Sequence, residues 1–359
     1  MKFVLVTGGS GFIGSHTSLV LLEKNYNLVI IDSFVNSSSE SIKRIAKITK
    51  LSELEAANRI ILFKGDLRDY NFIHEIFRDF TKNGKIIESV IHFSGLKSVS
   101  ESVKDPLNYW DNNVVSTIYL LRVMKEFECK TIVFSSSATI YGNNTKDLIN
   151  EKSEVKPINP YGVTKATIEK LLKDVYESDP NSWKIACLRY FNPVGAHESG
   201  LIGEDPLDNP NNIFPILNRV ASGKISKLSI YGNDWPTKDG TGVRDYIHVM
   251  DLAEGHVLTM NYLFNFESKF ITLNLGTGNG YSVLELIKTF EEVNNIKIPF
   301  SIEKRREGDV SRVVADPNLA KELLRWNPIR DLSDICRDGW RWQNANPNGY
   351  KFSDNFQEL

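Results

Sequence analysis

The chain has 359 residues, 41% of them hydrophobic and 25% charged, with 23 Gly and 13 Pro. Those fractions exclude a disordered, collagen-like or low-complexity polypeptide and leave a globular chain of about two domains, or one large domain with an appended lobe. Lys and Arg number 43 against 45 Asp and Glu, a net charge of -2. A near-neutral chain gives no electrostatic argument for nucleic acid or an anionic membrane, so any anion it recognises must be met by a local pocket.

Three cysteines, Cys129, Cys187 and Cys336, are odd in number and far apart. They offer neither a disulfide framework nor CxxC metal spacing, and the scattered histidines suggest no metal site. The apolar start before Thr7 is too short for a signal-peptide core, and no run approaches the ~18 apolar residues of a membrane span. The expectation is a cytoplasmic protein.

The first half alternates strand and helix patterns. Phe3-Val4-Leu5-Val6 is a continuous apolar run, as a central parallel strand covered on both faces requires. A helical stretch over about 14–24 follows, then a second buried strand, Leu28-Val29-Ile30-Ile31, ending at Asp32. Further strands are predicted at 60–63, 89–93, 131–134 and 184–188, with Val114, Ile118 and Leu121 at helical spacing and Ile168, Leu171, Leu172, Val175 and Tyr176 on one helix face. Repeated β–α alternation predicts an α/β, Rossmann-type doubly wound parallel sheet. After about residue 190, Pro193, Gly195, Gly200, Gly203, Pro206 and Pro210 break the rhythm. The expected division is residues 1–190 as a dinucleotide-binding domain and 191–359 mainly as a substrate-binding lobe, with some later elements returning to the main sheet.

Gly8, Gly11 and Gly14 follow the first strand and open the first helix in GxxGxxG spacing. Glycine is needed there for the sharp turn, for close approach to a pyrophosphate and for helix-on-strand packing. Asp32 closes the second strand, where a carboxylate can accept ribose hydroxyls and would repel a 2′-phosphate, which favours NAD over NADP. Asp66 and Leu67 after the third strand, and Phe93, Ser94, Gly95, Leu96 and Lys97 after the fourth, fall at the same carboxyl ends of strands. Tyr161 and Lys165 sit four residues apart near a helix start, hence on one face. A lysine cation there would draw a phenol below its ordinary value of about 10 and let it take a proton from a sugar hydroxyl. Ser137, at the end of the fifth strand, could bridge the substrate oxygen to Tyr161.

GxxGxxG, a serine at the fifth strand and YxxxK together resemble the extended short-chain dehydrogenase/reductase superfamily. Longer segments at 92–97, 135–142, 189–197, 242–249 and 305–309 are similar to the UDP-glucose 4-epimerases, in order along the chain. The resemblance implies reversible interconversion of UDP-galactose and UDP-glucose in galactose metabolism, with tightly bound NAD, a transient 4-keto sugar and a homodimer joined by two helices of each subunit. It implies Tyr161, Ser137 and Lys165 as the catalytic set, with Lys165 also on the nicotinamide ribose. It further places Phe12, Ile13, Asp32, Ser33, Phe34, Val35, Asn36, Ser37, Asp66, Leu67, residues 93–97, Asn112 and Phe191 along NAD. Substrate contacts would come from Lys97, Asn192, Asn212, Ile213, Ser229, Ile230, Tyr231, Arg244, Arg306 and Asp309.

Three positions depart from the family pattern or vary within it. Phe12 stands where the family usually has tyrosine and Ser94 where it usually has alanine. Val313 holds a wall position that is large in some members and small in others, which suggests some activity on UDP-N-acetylglucosamine and UDP-N-acetylgalactosamine. Two alternatives remain at this stage. A nucleotide-sugar 4,6-dehydratase would carry an Asp-Glu pair after the strand-end hydroxyl residue, where this chain has Ala138 and Thr139. A non-catalytic NAD-binding regulator would not need Tyr161, Lys165 and Ser137 together.

Overall fold

Along the first strand Phe3 and Leu5 point to one side and Val4 and Val6 to the other, and all four are buried. A strand apolar on both faces must lie inside a sheet with helices on each side. The computed structural model describes residues 1–350 except Thr145, Asp208, Asn209, Asn211 and Glu307. Glu307 of the 305–309 segment and residues 351–359 of the second lobe therefore lie outside the described residues.

Seven strands form one sheet: β1 (Lys2–Thr7), β2 (Asn27–Asp32), β3 (Ile60–Lys64), β4 (Ile86–His92), β5 (Thr131–Ser137), β6 (Lys184–Tyr190) and β7 (Lys269–Leu275). Their order is β3-β2-β1-β4-β5-β6-β7, and every pairing is parallel. The first six strands lie where the apolar runs place them, and the sheet is the doubly wound type that the alternation predicts. The seventh returns from the second half of the chain and was not resolved from the sequence. Its first residues, Lys269 and Phe270, are only partly buried because they lie on an edge strand.

Two helical layers cover the sheet. On one face α1 (Phe12–Glu23) packs its Leu19 to Leu22 stretch with Leu252, Ala253, Val257 and Met260 of α6 (Val249–Phe264). On the other, α2 (Tyr70–Lys82), α3 (Ser116–Glu126) and α4 (Pro160–Ser178) bury Ile73, Phe77, Leu120, Val123, Ile168 and Leu172 against Phe3, Leu5, Val29 and Ile31. Thus α6 and β7, although late in sequence, belong to the layers of the dinucleotide sheet. Residues 38–60 fold into two short helices, Glu40–Ile48 and Glu53–Arg59.

The second lobe has its own core. Phe214 and Leu217 of α5 (Ile213–Ala221), Leu286 and Phe290 of α7 (Val283–Asn294), and Ile335 and Cys336 of α8 (Leu332–Ala345) pack together. Short strand pairs also lie within this lobe: Asn192–Val194 with Tyr246–His248, and Arg312–Val313 with Val243–Arg244. Because the strand order reverses between β1 and β4, the connections leaving their carboxyl ends run to opposite faces of the sheet and open a crevice there.

Three buried imidazoles set the acid stability. Burial holds His16 and His92 down to about 3 and His256 to about 4, from an ordinary 6.5. A group whose folded value is depressed contributes stability above its unfolded value and loses it as pH falls. The thermal midpoint is therefore expected to fall steadily from pH 6.5 to pH 4, and a midpoint that stays flat over that window would contradict neutral buried histidines.

Candidate active site

The glycine turn at the end of β1 is shaped by sterics. Gly8 has φ +66°, and a Cβ there would lie 2.9 Å from Ser94 N. A Cβ on Gly14 would fall 2.2 Å from the Gly8 carbonyl oxygen, so the helix could not sit this close to the strand. No side chain caps α1 at Gly11, whereas Asn159 caps α4 and Ser282 caps α7. Phe12 and Ile13 form its open first turn, where backbone N–H groups and the helix dipole favour an anion. Beside this turn the buried Ser10 hydroxyl has no hydrogen-bond partner.

Asp32 ties the turn to the next loop. Its carboxylate accepts from Ser10 N at 2.9 Å, Phe34 N at 3.0 Å and Ser37 Oγ at 2.7 Å. Ser33 and Asn36 complete that loop, Val35 is exposed, and Asn36 Oδ1 accepts from Leu207 N at 2.9 Å. Lys97, at the far end of the crevice, pairs with Glu204 at 3.2 Å. One segment, 204–207, thus touches both loops that the sequence assigns to NAD. These features fit a dinucleotide: glycine-limited approach, an uncapped helix start, an unpartnered hydroxyl and a fixed carboxylate.

Asp66 lies at the end of β3 in a forked pair with Arg68, whose guanidinium keeps the carboxyl below its ordinary range. Leu67 is buried in the sheet core, so only its backbone faces outward. Phe93 packs on His256, and Ser94 N reaches Thr7 Oγ1 at 3.4 Å. Gly95 and Leu96 are held by a residue that pattern reading missed. Asn113 accepts from Leu96 N at 2.7 Å and donates to Leu96 O and to Thr164 Oγ1, each at 3.1 Å. Thr164 in turn donates to the Tyr161 carbonyl at 2.8 Å. The neighbouring Asn112 instead turns back to Asn108. An asparagine interrupting an apolar helix face was the available signal, because a buried amide must find partners.

Helix α4 begins at Pro160 with Asn159 capping Gly162 N at 2.8 Å. That start places Tyr161 and Lys165 on the face toward β5. Lys165 donates to the Ser135 carbonyl at 2.7 Å, with its ammonium 5.9 Å from the Tyr161 ring centre. Ser137 accepts from Thr139 N at 3.2 Å and Thr139 Oγ1 at 2.9 Å. Its own proton is committed to neither of these bonds, and the hydroxyl lies near enough to the buried Tyr161 phenol to draw it downward. Burial is the larger effect and raises the phenol above 10; burial likewise pushes Lys165 down to about 8. The expected lysine-driven lowering of the phenol is therefore not met by the protein's own groups. The desolvation that brings these side chains together opposes the charge on both.

Across the crevice the second lobe gathers the charged residues the sequence singles out. Arg306 lies over the Tyr231 ring at 4.5 Å and donates to Asp309 at 3.1 Å. The charges of Asp309 and Arg306 both reach Arg244, and burial lowers its guanidinium. Val313 pairs with Arg244 in parallel register and packs beside Phe191. Asn192 donates its N–H to the Asp245 carbonyl at 3.0 Å. Asn212 caps α5 without a side-chain bond, and Ile213 opens that helix. Ser229 and Tyr231 are accessible, whereas Ile230 is buried in the lobe core and can offer only its backbone. No group of three or more His, Cys, Asp or Glu assembles as a metal site among the described residues.

A family model described as GDP-mannose 4,6 dehydratase matches residues 5–339. The UDP-glucose 4-epimerase of Bacillus subtilis is 47% identical over 348 residues, 97% of this chain and 98% of that one. The bifunctional protein GAL10 of Pachysolen tannophilus is 47% identical over 359 residues, and this chain spans 50% of its length. Among solved structures, the Stenotrophomonas maltophila UDP-glucose 4-epimerase with bound NAD and formylated UDP-arabinopyranose superposes with a TM-score of 0.90 at 43% identity, covering 97% of this chain and 99% of that one. The Bifidobacterium longum enzyme in complex with NAD+ and UDP gives 0.89 at 44%, covering 97% and 100%.

Proposed function

Because this chain belongs to the family of UDP-glucose 4-epimerases, we infer that its crevice interconverts UDP-galactose and UDP-glucose with NAD as cofactor. The observation that carries the catalytic assignment is the buried Tyr161 phenol beside the Ser137 hydroxyl, one helical turn from Lys165, whose ammonium lies 5.9 Å from the Tyr161 ring centre. The glycine turn, Asp32 and the 93–97 loop hold the dinucleotide. NAD, when bound, supplies an acceptor for the C4 hydride and gives the hydride back.

Tyr161 takes the proton of the sugar C4 hydroxyl, and Ser137 bridges it to the same oxygen. Lys165 adds a fixed positive charge beside Tyr161 and a donor for a ribose hydroxyl. Arg244 and Arg306 grip the diphosphate, for which planar guanidinium groups are suited. Asp309 accepts from the uridine ribose. Held only by its diphosphate end, the oxidised sugar can turn and present its other face, and Tyr161 then returns the proton.

The dehydratase description of the family model meets an obstacle at the site. Elimination of a C6 hydroxyl needs an acid and a base, and the positions after Ser137 are Ala138 and Thr139. Thr139 is committed to Ser137. The regulator reading leaves the Tyr161–Ser137–Lys165 arrangement without a purpose.

In the same reading, residues 1–190 with 249–275 hold NAD and the remainder holds the UDP-sugar. The protein acts in the cytoplasm, in galactose metabolism; no helix among the described residues is long and apolar enough to cross a membrane. A homodimer is supported by Val103 and Leu107, exposed by 63% and 79% beside Val99 and Trp110. Such a row invites burial against a second copy. Val313, small for its wall position, leaves room for an N-acetyl group.

Tyr161→Phe is expected to lower kcat for UDP-galactose by a factor on the order of 100 to 10,000, while the purified protein keeps its NAD absorbance. Near-normal turnover would remove Tyr161 as the proton carrier. For Val313, UDP-N-acetylglucosamine turnover should be measurable in the native protein and lost in Val313→Tyr; undetectable native turnover beside robust UDP-galactose turnover would refute the wider specificity.

A further inference from the structure

Helix α4 meets β5 through three successive turns, not two. Tyr161 faces the Ser137 hydroxyl, Lys165 the Ser135 carbonyl at 2.7 Å, and Glu169 the Ser136 hydroxyl at 2.5 Å. The first two contacts belong to the reaction described above. The third is used by no step of it, yet it is the most elaborately held. Arg189 on β6 clamps Glu169 with Nε at 3.0 Å and Nη2 at 2.6 Å, and both side chains are nine-tenths buried or nearly so, at 7% and 11% exposure. Arg189 Nη1 donates to Tyr141 Oη at 2.8 Å and to the Glu151 carbonyl at 3.2 Å. Tyr141 donates to Asn274 Oδ1 on β7 at 2.7 Å. The network therefore spans β5, β6 and β7 directly behind the reacting hydroxyls.

Resting on the epimerase reading, we propose that Glu169, fixed by Arg189, is a positioning residue for the reaction: it locks the 135–137 segment against α4 and balances the charge of Lys165. A forked guanidinium–carboxylate pair fixes direction as well as distance, so the Ser136 bond sets the rotation of β5 that aims Ser137 at Tyr161. Charge is the second part. The Lys165 ammonium is stripped of water and lies over Phe134, with neutral His92 facing it from β4 and Tyr161 from its own helix. Tyr190 of β6 faces Tyr161. Glu169 is the carboxylate that opposes this desolvation. Around Glu169 itself stand Arg189 and Cys187 of β6, with Tyr141 and Glu151 beyond Arg189. Arg189 stops Glu169 from drawing the ammonium away from Ser135 and Tyr161.

The test uses the NAD-loaded protein with UDP-galactose, measuring kcat and KM from pH 6 to 10 for the native chain and Glu169→Gln. Glutamine keeps the size and an acceptor for Ser136 but removes the charge, so Lys165 gives up its proton at lower pH. The alkaline limb of kcat is expected to move down by about one pH unit, a roughly tenfold loss beyond the limb, with KM changed less than threefold. The double variant Glu169→Gln/Arg189→Met removes both charges and covers the case in which the single variant leaves Arg189 unpaired and fails to fold. It is expected to show the same displaced limb. A folded, NAD-retaining variant with the native profile overturns the proposal, whereas a native protein that does not turn over UDP-galactose overturns the functional reading instead.

Discussion

The register between helix α4 and strand β5 is the constraint on which the site depends. The Lys165–Ser135 bond fixes it at one point, the Glu169–Ser136 contact at a second, and the Asn159 cap sets where the helix begins. If α4 rotated by one residue, about 100°, Tyr161 would leave Ser137 and Lys165 would lose its acceptor. The parallel sheet makes this register possible. With β5 central and paired on both sides, its carbonyls run in fixed directions, and a helix packed on it meets them at defined heights.

Around that register the protein manages charge locally, since the chain as a whole is nearly neutral. An open helix start lies at one end of the crevice and two guanidinium groups at the other. The uncapped start of α1 presents N–H groups without a competing side chain. Arg306 pairs with Asp309 at 3.1 Å, and the charges of both reach the buried Arg244. Asp245 holds the lobe's geometry. Its carboxylate accepts from Thr277, Gly278 and Ala315, and its backbone is bonded to Asn192 and Val313. One buried acid therefore ties together the segments that carry Asn192, Arg244 and Val313.

Much of this was legible in the sequence because the signals were local. Apolar runs such as 3–6 and 28–31 announced buried parallel strands, and GxxGxxG followed by Asp32 announced the turn, the helix start and an acid at the end of the next strand. What stayed hidden was tertiary. Strand β7 carries a partly polar run, 269–275, because it lies on the sheet edge, and its return to the dinucleotide sheet depends on the path of α6. Asn113, Asp245 and Arg189 look like ordinary polar residues until folding buries them with their partners. For Tyr161, spacing announces the nearness of Lys165 but not the burial that raises the phenol. Two groups on one helix face do attract, but the same packing strips both of water, and desolvation is larger.

The central claim is that hydride leaves C4 of the sugar and returns to the same carbon within one closed site, with Tyr161 moving only the hydroxyl proton. The most direct measurement is to give the purified protein, without added NAD, UDP-galactose carrying deuterium at C4 and to follow the product by NMR. The account requires UDP-glucose with the deuterium still at C4. Loss of the label to solvent, or a 4-keto-6-deoxy product, would contradict it.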